Sequence, residues 1–461
     1  MTDGRLPSSF RDPSGFVFRR DGRLLRQVNR CYEASFALAE STGLIAHLHA
    51  EGLLVRHRRV DVPPAEADRA ALVIEPEPLR WITQPYEWCP SQLREAGLLT
   101  LRLQREALAR GMTLRDASAF NVQFHGGRPI FLDTLSFGPW QEGEPWAAYA
   151  QFCRHFLAPL ALAVKVDPHL LASFRVHLDG FPVELASRLL PGSTRFSPAL
   201  LAHVHLHAKA RRKAAAAPAA PVTGPSGARF SEAAMLGLVE SLEGALRSLR
   251  FEPGAGEWAD YYDRTSYVDE AMAHKEAVVA EMAAALRPAS AVDVGANRGR
   301  FSRLLARAGA TVLAADIDPV TVEHAFRDLR AANEPAVLPV VQDLTNPSPA
   351  LGWASAEREP FLERAQSDVV LALAVVHHLA LTGNVPLPEV AAVFRRLAPE
   401  AIVEFVPRDD PQVRRMLAGR EEVFPDYTPE GFEHAFATVY RIEERVPLQS
   451  SGRVLYRMRA T

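Results

Sequence analysis

Between residues 291 and 406 the apolar positions fall into short solid runs, separated by stretches in which they recur with a helical period. Ala291–Val294, Thr311–Ala315, Ala336–Val341, the start of Ser367–Leu379 and Ala401–Val406 are apolar at nearly every position. Such runs are expected of strands buried on both faces. Phe301–Ala308, Val320–Ala332 and Leu387–Leu397 have the three-to-four spacing of amphipathic helices. Strands and helices alternating in this way predict an α/β fold with a doubly wound parallel sheet, which binds ligands at the carboxyl ends of its strands. Val439–Val446 and Gly452–Met458 are expected as a closing antiparallel pair, and Phe230–Leu249 and Val268–Leu286 as a helical lead-in.

The first two hundred residues follow another pattern. Gly15–Arg20 and Arg23–Val28 flank Asp21-Gly22, a β-hairpin signal. A helix over Tyr32–Ala50, strand-like Leu53–Val60, Ala70–Ile74 and Leu79–Gln84, and a long helix over Ser91–Arg110 come next. After a Gly126-Gly127 turn, Pro129–Leu132 forms a strand ending in Asp133. This order predicts an α+β domain over 1–207. Ala208–Gly227, rich in alanine, proline and glycine, is expected as a linker over 208–228, and 229–461 as the α/β domain. His203, His205 and His207 alternate as they would on one face of a strand, without a second set of ligands to make a metal site.

A net charge of −3 hides an asymmetry: residues 1–228 carry 27 basic and 21 acidic side chains, and 229–461 carry 25 and 34. The acidic second half argues against a nucleic-acid substrate. Cys31, Cys89 and Cys153 are too scattered for a zinc site or a disulfide frame and suit a reducing compartment. No apolar run is long enough to span a bilayer and the start has no signal-peptide pattern, so a cytoplasmic location is expected. The sequence leaves the oligomeric state open.

Candidate chemistry concentrates where the first solid run ends, at Asp293-Val294-Gly295-Ala296-Asn297-Arg298-Gly299. An acid, a glycine turn and a helix start allow close backbone approach to a ligand. With Asp316 at the next strand end, Asp343 after the third and His377-His378 after the fourth, this ordered set resembles the class I S-adenosylmethionine (SAM)-dependent methyltransferases over roughly residues 257–461. The resemblance implies SAM as cofactor, held by Asp293, Gly295, Asn297, Gly299, Asp316 and Asp343, with Asp316 on the ribose and Asp343 near the adenine. Asp318 is the other acid in reach of the ribose, or else caps the following helix. His378 or His377 is the candidate base toward a hydroxyl acceptor, with Glu404 in reserve; the alternative role for the histidines is packing or hydrogen bonding. Trp258 and Tyr262 are lid candidates. The Asn-Pro-Pro-aromatic signature of amide and base N-methylation is absent after the fourth strand, which favours a hydroxyl of a small molecule or glycan.

In the first half, Asp116 followed by Asn121 and then by Asp133 resembles the catalytic loop and metal-binding acid of protein-kinase-like phosphotransferases. The resemblance implies a degenerate, pseudokinase-like module. No lysine precedes Lys165, so the strand lysine that positions ATP phosphates is missing unless an arginine near Arg26 substitutes. The expected protein is a SAM-dependent methyltransferase with no resident metal. The alternatives are a bifunctional phosphotransferase–methyltransferase and a SAM-binding scaffold.

Overall fold

The computed structural model describes residues 3–216, 230–254, 269–418 and 425–461. The chain divides into two compact units: 1–252 with Leu351–Arg358, and 253–350 with 359–461.

The first unit opens with a five-stranded antiparallel sheet. Its strands are β1 (Gly4–Arg5), β2 (Gly15–Arg20), β3 (Arg23–Asn29), β4 (His57–Arg59) and β5 (Ala70–Pro76), in the order β1-β2-β3-β5-β4. Asp21 and Gly22, both at positive φ, make the hairpin turn joining β2 to β3. Phe16, Phe18, Leu25 and Val73 form the apolar face of this sheet. The helix expected over Tyr32–Ala50 is two, Glu33–Ser41 and Leu44–Ala50, broken where Gly43 adopts φ 73°. Leu79–Gln84 is not a strand, and only His57–Arg59 of Leu53–Val60 is one. Helix α1 (Pro90–Leu108) leads into the small strands β6 (Met112–Leu114), β7 (Val122–His125), β8 (Arg128–Phe131) and β9 (Phe137–Pro139), which pair as β6-β9 and β7-β8.

Three further expectations change in this unit. Helix α2 (Glu232–Ser248), read on sequence with the second half, lies against α1: Gly97 leaves room for Leu246, and Arg105 pairs with Glu243 at 3.0 Å. Residues 208–216 of the expected linker belong to a helix, His207–Ala216, and 217–228 lie outside the described residues. His203 and His205 sit in a π-helical turn rather than a strand. His203 bonds Tyr149 and Ser241, and His205 bonds Ser187 and Thr194. Alternation in sequence cannot distinguish a strand from a wide helical turn when the polar partners lie far along the chain.

The second unit is built on a seven-stranded sheet. Its strands are β10 (Ser290–Val294), β11 (Thr311–Asp316), β12 (Val337–Val341), β13 (Val369–Ala372), β14 (Glu400–Phe405), β15 (Tyr440–Pro447) and β16 (Val454–Ala460). Their order is β12-β11-β10-β13-β14-β16-β15, parallel except for β16, which is antiparallel to both neighbours. Every residue of β10 and β13 is buried, as expected of central strands covered by helices on both faces. Helices α3 (Asp269–Leu286), α4 (Ser302–Arg307), α5 (Pro319–Ala331) and α6 (Leu387–Leu397) make the crossovers and covering layers. This is the expected Rossmann-like sheet. The order reverses between β10 and β13, which places a crevice at their carboxyl ends.

Candidate active site

That crevice is a cavity of about 450 Å³. Its floor is the turn after β10. Gly295 has φ 69°, and a Cβ there would come within 2.2 Å of the Val375 side chain, so only glycine fits. The turn is fastened to the end of β11: the Gly295 and Ala296 amides donate to the Ala315 carbonyl at 2.9 and 3.0 Å, and the Asn297 amide donates to Asp316 Oδ2 at 2.8 Å. Asn297 takes φ 50°, a conformation asparagine tolerates.

Asp293, Asp316 and Asp343 all line the cavity. Asp293 accepts from Ser302 Oγ at 2.6 Å, and burial pushes its carboxyl up to about 7. Burial likewise raises Asp316 to about 6, against the pull of its backbone donors. Asp343 accepts from the amide and hydroxyl of Thr345. Asp318 is a helix cap, accepting from the Val320 and Thr321 amides at 3.0 and 3.2 Å and from Thr321 Oγ1 at 2.6 Å. Gly295 and Asn297 are in the lining, while Gly299, at φ 76°, shapes the turn behind it.

The two histidines do not sit at the strand end. β13 stops at Ala372, Ala374 takes φ 53°, and His378 begins a π-helical turn, His378–Thr382. Their rings lie 4.2 Å apart. His378 lines the cavity, and burial lowers its pKa. His377 is buried off the lining. Burial first, then His378, Arg453 and Lys275, hold it well below the usual imidazole range.

Glu404 does not line the cavity. It is fully buried, accepting from Lys275 Nζ at 2.6 Å and facing Arg453 Nη1 at 3.4 Å, while Arg453 Nε donates to Asp410 at 2.9 Å. A carboxylate held between two cations is an anchor of the fold rather than a reserve base. Lys275 does reach the cavity, with Nζ 4.8 Å from the centre of the Phe301 ring. It is the only cation among the described lining residues, and sequence reading missed it. A signal existed: Lys275 is the single lysine after Lys213 in a chain with 48 arginines. Met272, Ile317 and Thr382 were missed too; Ile317 is 52% exposed directly after Asp316. Trp258 and Tyr262 lie outside the described residues.

In the first unit, Asp116 accepts from the Ser118 amide and from Gln151 Nε2 at 2.7 Å, and burial, then Asp133, raises its pKa. Asp133 pairs with Arg26 and accepts from Ser136 Oγ at 2.5 Å. Arg26, which marks the region where an arginine would stand in for a phosphate-binding lysine, is thus engaged by the acid that would hold a metal.

An acid-lined cavity with a glycine floor at the switch point of this sheet suits a cationic nucleoside such as SAM. Residues 292–403 match the methyltransferase domain family. The protein is a SAM-dependent methyltransferase, with SAM as its cofactor. Over 98% of its length the chain is 37% identical to the nodulation protein NoeA of Rhizobium meliloti, covering 95% of that protein. It belongs to the NoeA family. Among solved structures it is similar to the N-methyltransferase NodS of Bradyrhizobium japonicum with bound S-adenosylhomocysteine. That match has 13% identity, covers 45% of this chain and 93% of that one, and has a TM-score of 0.33. It is also similar to the bifunctional kinase-methyltransferase WbdD, at 16% identity over 43% of this chain and 42% of that one, with a TM-score of 0.31.

Proposed function

We propose that the protein methylates a hydroxyl of a small molecule or glycan, with His378 as the base. SAM supplies an electrophilic methyl group. Asp316 receives the ribose hydroxyls, because its carboxylate faces the cavity with acceptor capacity left beyond its backbone donors. Asp343 and Ile317 take the adenine edge and face. Asp293 takes the cationic amino end of the cofactor, and Lys275, the one lining cation, takes its carboxylate. The residues fit the group: three acids and one base face a ligand with two cationic groups and one carboxylate. Proximity and alignment supply much of the acceleration, and His378 removes the acceptor proton as the methyl moves.

The observation that carries the base role is position. Of the two histidines, His378 alone lines the cavity, and burial keeps its imidazole neutral at physiological pH. His378→Ala should lower turnover by roughly 10²–10⁴-fold and leave SAM affinity near its parent value, whereas His377→Ala should spare turnover. Steady-state assays with labelled SAM and hydroxylated acceptors, beside calorimetry with SAM, provide the check. Near-parent turnover in His378→Ala would make the histidine structural.

The domain reading is a proposal of the same kind: residues 1–207 form a kinase-like module that serves the substrate or a partner and does not transfer phosphate. The Arg26–Asp133 pair supports it. Magnesium-dependent phosphorylation of any acceptor, abolished in Asp133→Ala, would establish the bifunctional alternative instead.

A further inference from the structure

We propose that the first unit carries a separate anion site, for a phosphate or sulfate ester, at the end of its antiparallel sheet. A second cavity, of about 620 Å³, is lined wholly by first-unit residues, four of them arginines: Arg19, Arg23, Arg56 and Arg58. The elements responsible are the tip of the β2–β3 hairpin, the approach to β4, the end of β5 and the end of helix Leu44–Ala50.

The arginines are of two kinds. Arg23 donates through Nε and Nη2 to the two oxygens of Glu75 at 2.7 and 2.9 Å, and Arg58 Nη2 donates to the same carboxylate at 2.6 Å. Hydrogen bonding from Arg23, and then from Arg58, holds Glu75 well below the usual carboxylate range, so it stays ionised; its two bonds orient the Arg23 guanidinium and its third tethers Arg58. Among the described residues Arg19 and Arg56 have no side-chain ion pair or hydrogen bond, and their donors remain available. Glu77 is the other acid in the lining, which leaves four cations against two anions. His49 and His57 hydrogen-bond to each other at 3.2 Å, and burial lowers both, His57 to about 4, so they add no charge at neutral pH. Net positive charge, with two guanidinium groups open to a ligand beside two held on Glu75, is the chemistry that recognises a tetrahedral oxyanion. The basic balance of residues 1–228 adds a favourable long-range field.

The site is independent of the methyl acceptor and of the phosphotransfer question. Calorimetry on the full chain with glucose 6-phosphate and glucose 6-sulfate tests it, with glucose as blank. The expected result is one-to-one saturable binding of at least one ester with a Kd of about 1 mM or tighter, and the preferred ester identifies the oxyanion. Arg19→Ala and Arg56→Ala should each weaken that binding roughly tenfold or more. Arg102→Ala, which removes an exposed partner of Glu51 outside the cavity, should not. A circular-dichroism melting curve that matches the parent's in all three variants reports that the first unit remains folded. The proposal fails if neither ester saturates by about 10 mM, well above the Kd expected of such a site, if Arg19→Ala and Arg56→Ala bind like the parent, or if Arg102→Ala weakens binding equally.

Discussion

At the scale of single residues, the cavity acids decide how the cofactor responds to pH. Asp293 and Asp316 titrate near 7 and 6 because burial disfavours their charged forms. Between the unfolded value near 3.8 and these raised values the folded chain holds the extra protons. Their contribution to stability is therefore present at low pH and lost as pH rises through about 6 to 7. The cofactor's ammonium on Asp293 and its ribose hydroxyls on Asp316 favour the ionised acids. SAM affinity should consequently rise from about pH 5.5 to 8, and that of S-adenosylhomocysteine, which keeps both groups, should rise in parallel. Calorimetry across this range, beside melting curves of the unliganded chain, measures both. Gly295→Val should abolish SAM binding in a folded protein, since a Cβ there has only 2.2 Å to Val375. Asp316→Ala should weaken SAM by the ~1.5–3 kcal/mol of a charged hydrogen bond. The imidazole limb of the pH–rate profile should fall below 6.5, because burial lowers His378.

At the scale of elements, the Lys275–Glu404–Arg453–Asp410 chain ties α3 to β14, the β16 approach and the segment after β14. Removing one partner strands a buried charge: Lys275→Met should cost about 3–5 kcal/mol. The Lys275→Met/Glu404→Gln double variant should cost less than the sum of its single changes. Denaturant melts of the cycle measure this. The double variant also tests the carboxylate role of Lys275: it should lose preference for SAM over decarboxylated SAM, and an unchanged preference would assign that role elsewhere.

At the scale of the whole molecule, the chain leaves the second unit at Ala350, contributes Leu351–Arg358 to the first, and returns at Glu359. Within the first unit this segment is held by both oxygens of Glu357 on Arg11, at 2.8 and 2.9 Å, and by Arg358 over the Phe120 ring at 4.3 Å. Expressing 253–461 alone would strip the segment of these partners. That fragment should melt lower than the same unit in the full chain, read by circular dichroism, and an equal midpoint would show the segment to be dispensable.

Local spacing sufficed for much of the methyltransferase half. Solid apolar runs ending in Asp293 and Asp316, with Gly295 between, marked the parallel strands and one wall of the cavity, because a buried strand and the turn that follows it are contiguous in sequence. Other features depended on contacts remote along the chain. Glu404 was legible as an acid within the apolar run Ala401–Val406, but only folding brings it to Lys275, 129 residues away. His377 and His378 were legible as a pair, yet the π-helical turn decided which one meets the cavity. The three alternating histidines resembled a strand, but they lie in helical turns where distant hydroxyls partner His203 and His205. Sequence determined which segments are buried and where the chain turns. The tertiary structure decided which charges meet, because burial makes a charge dependent on a partner and the fold alone supplies it.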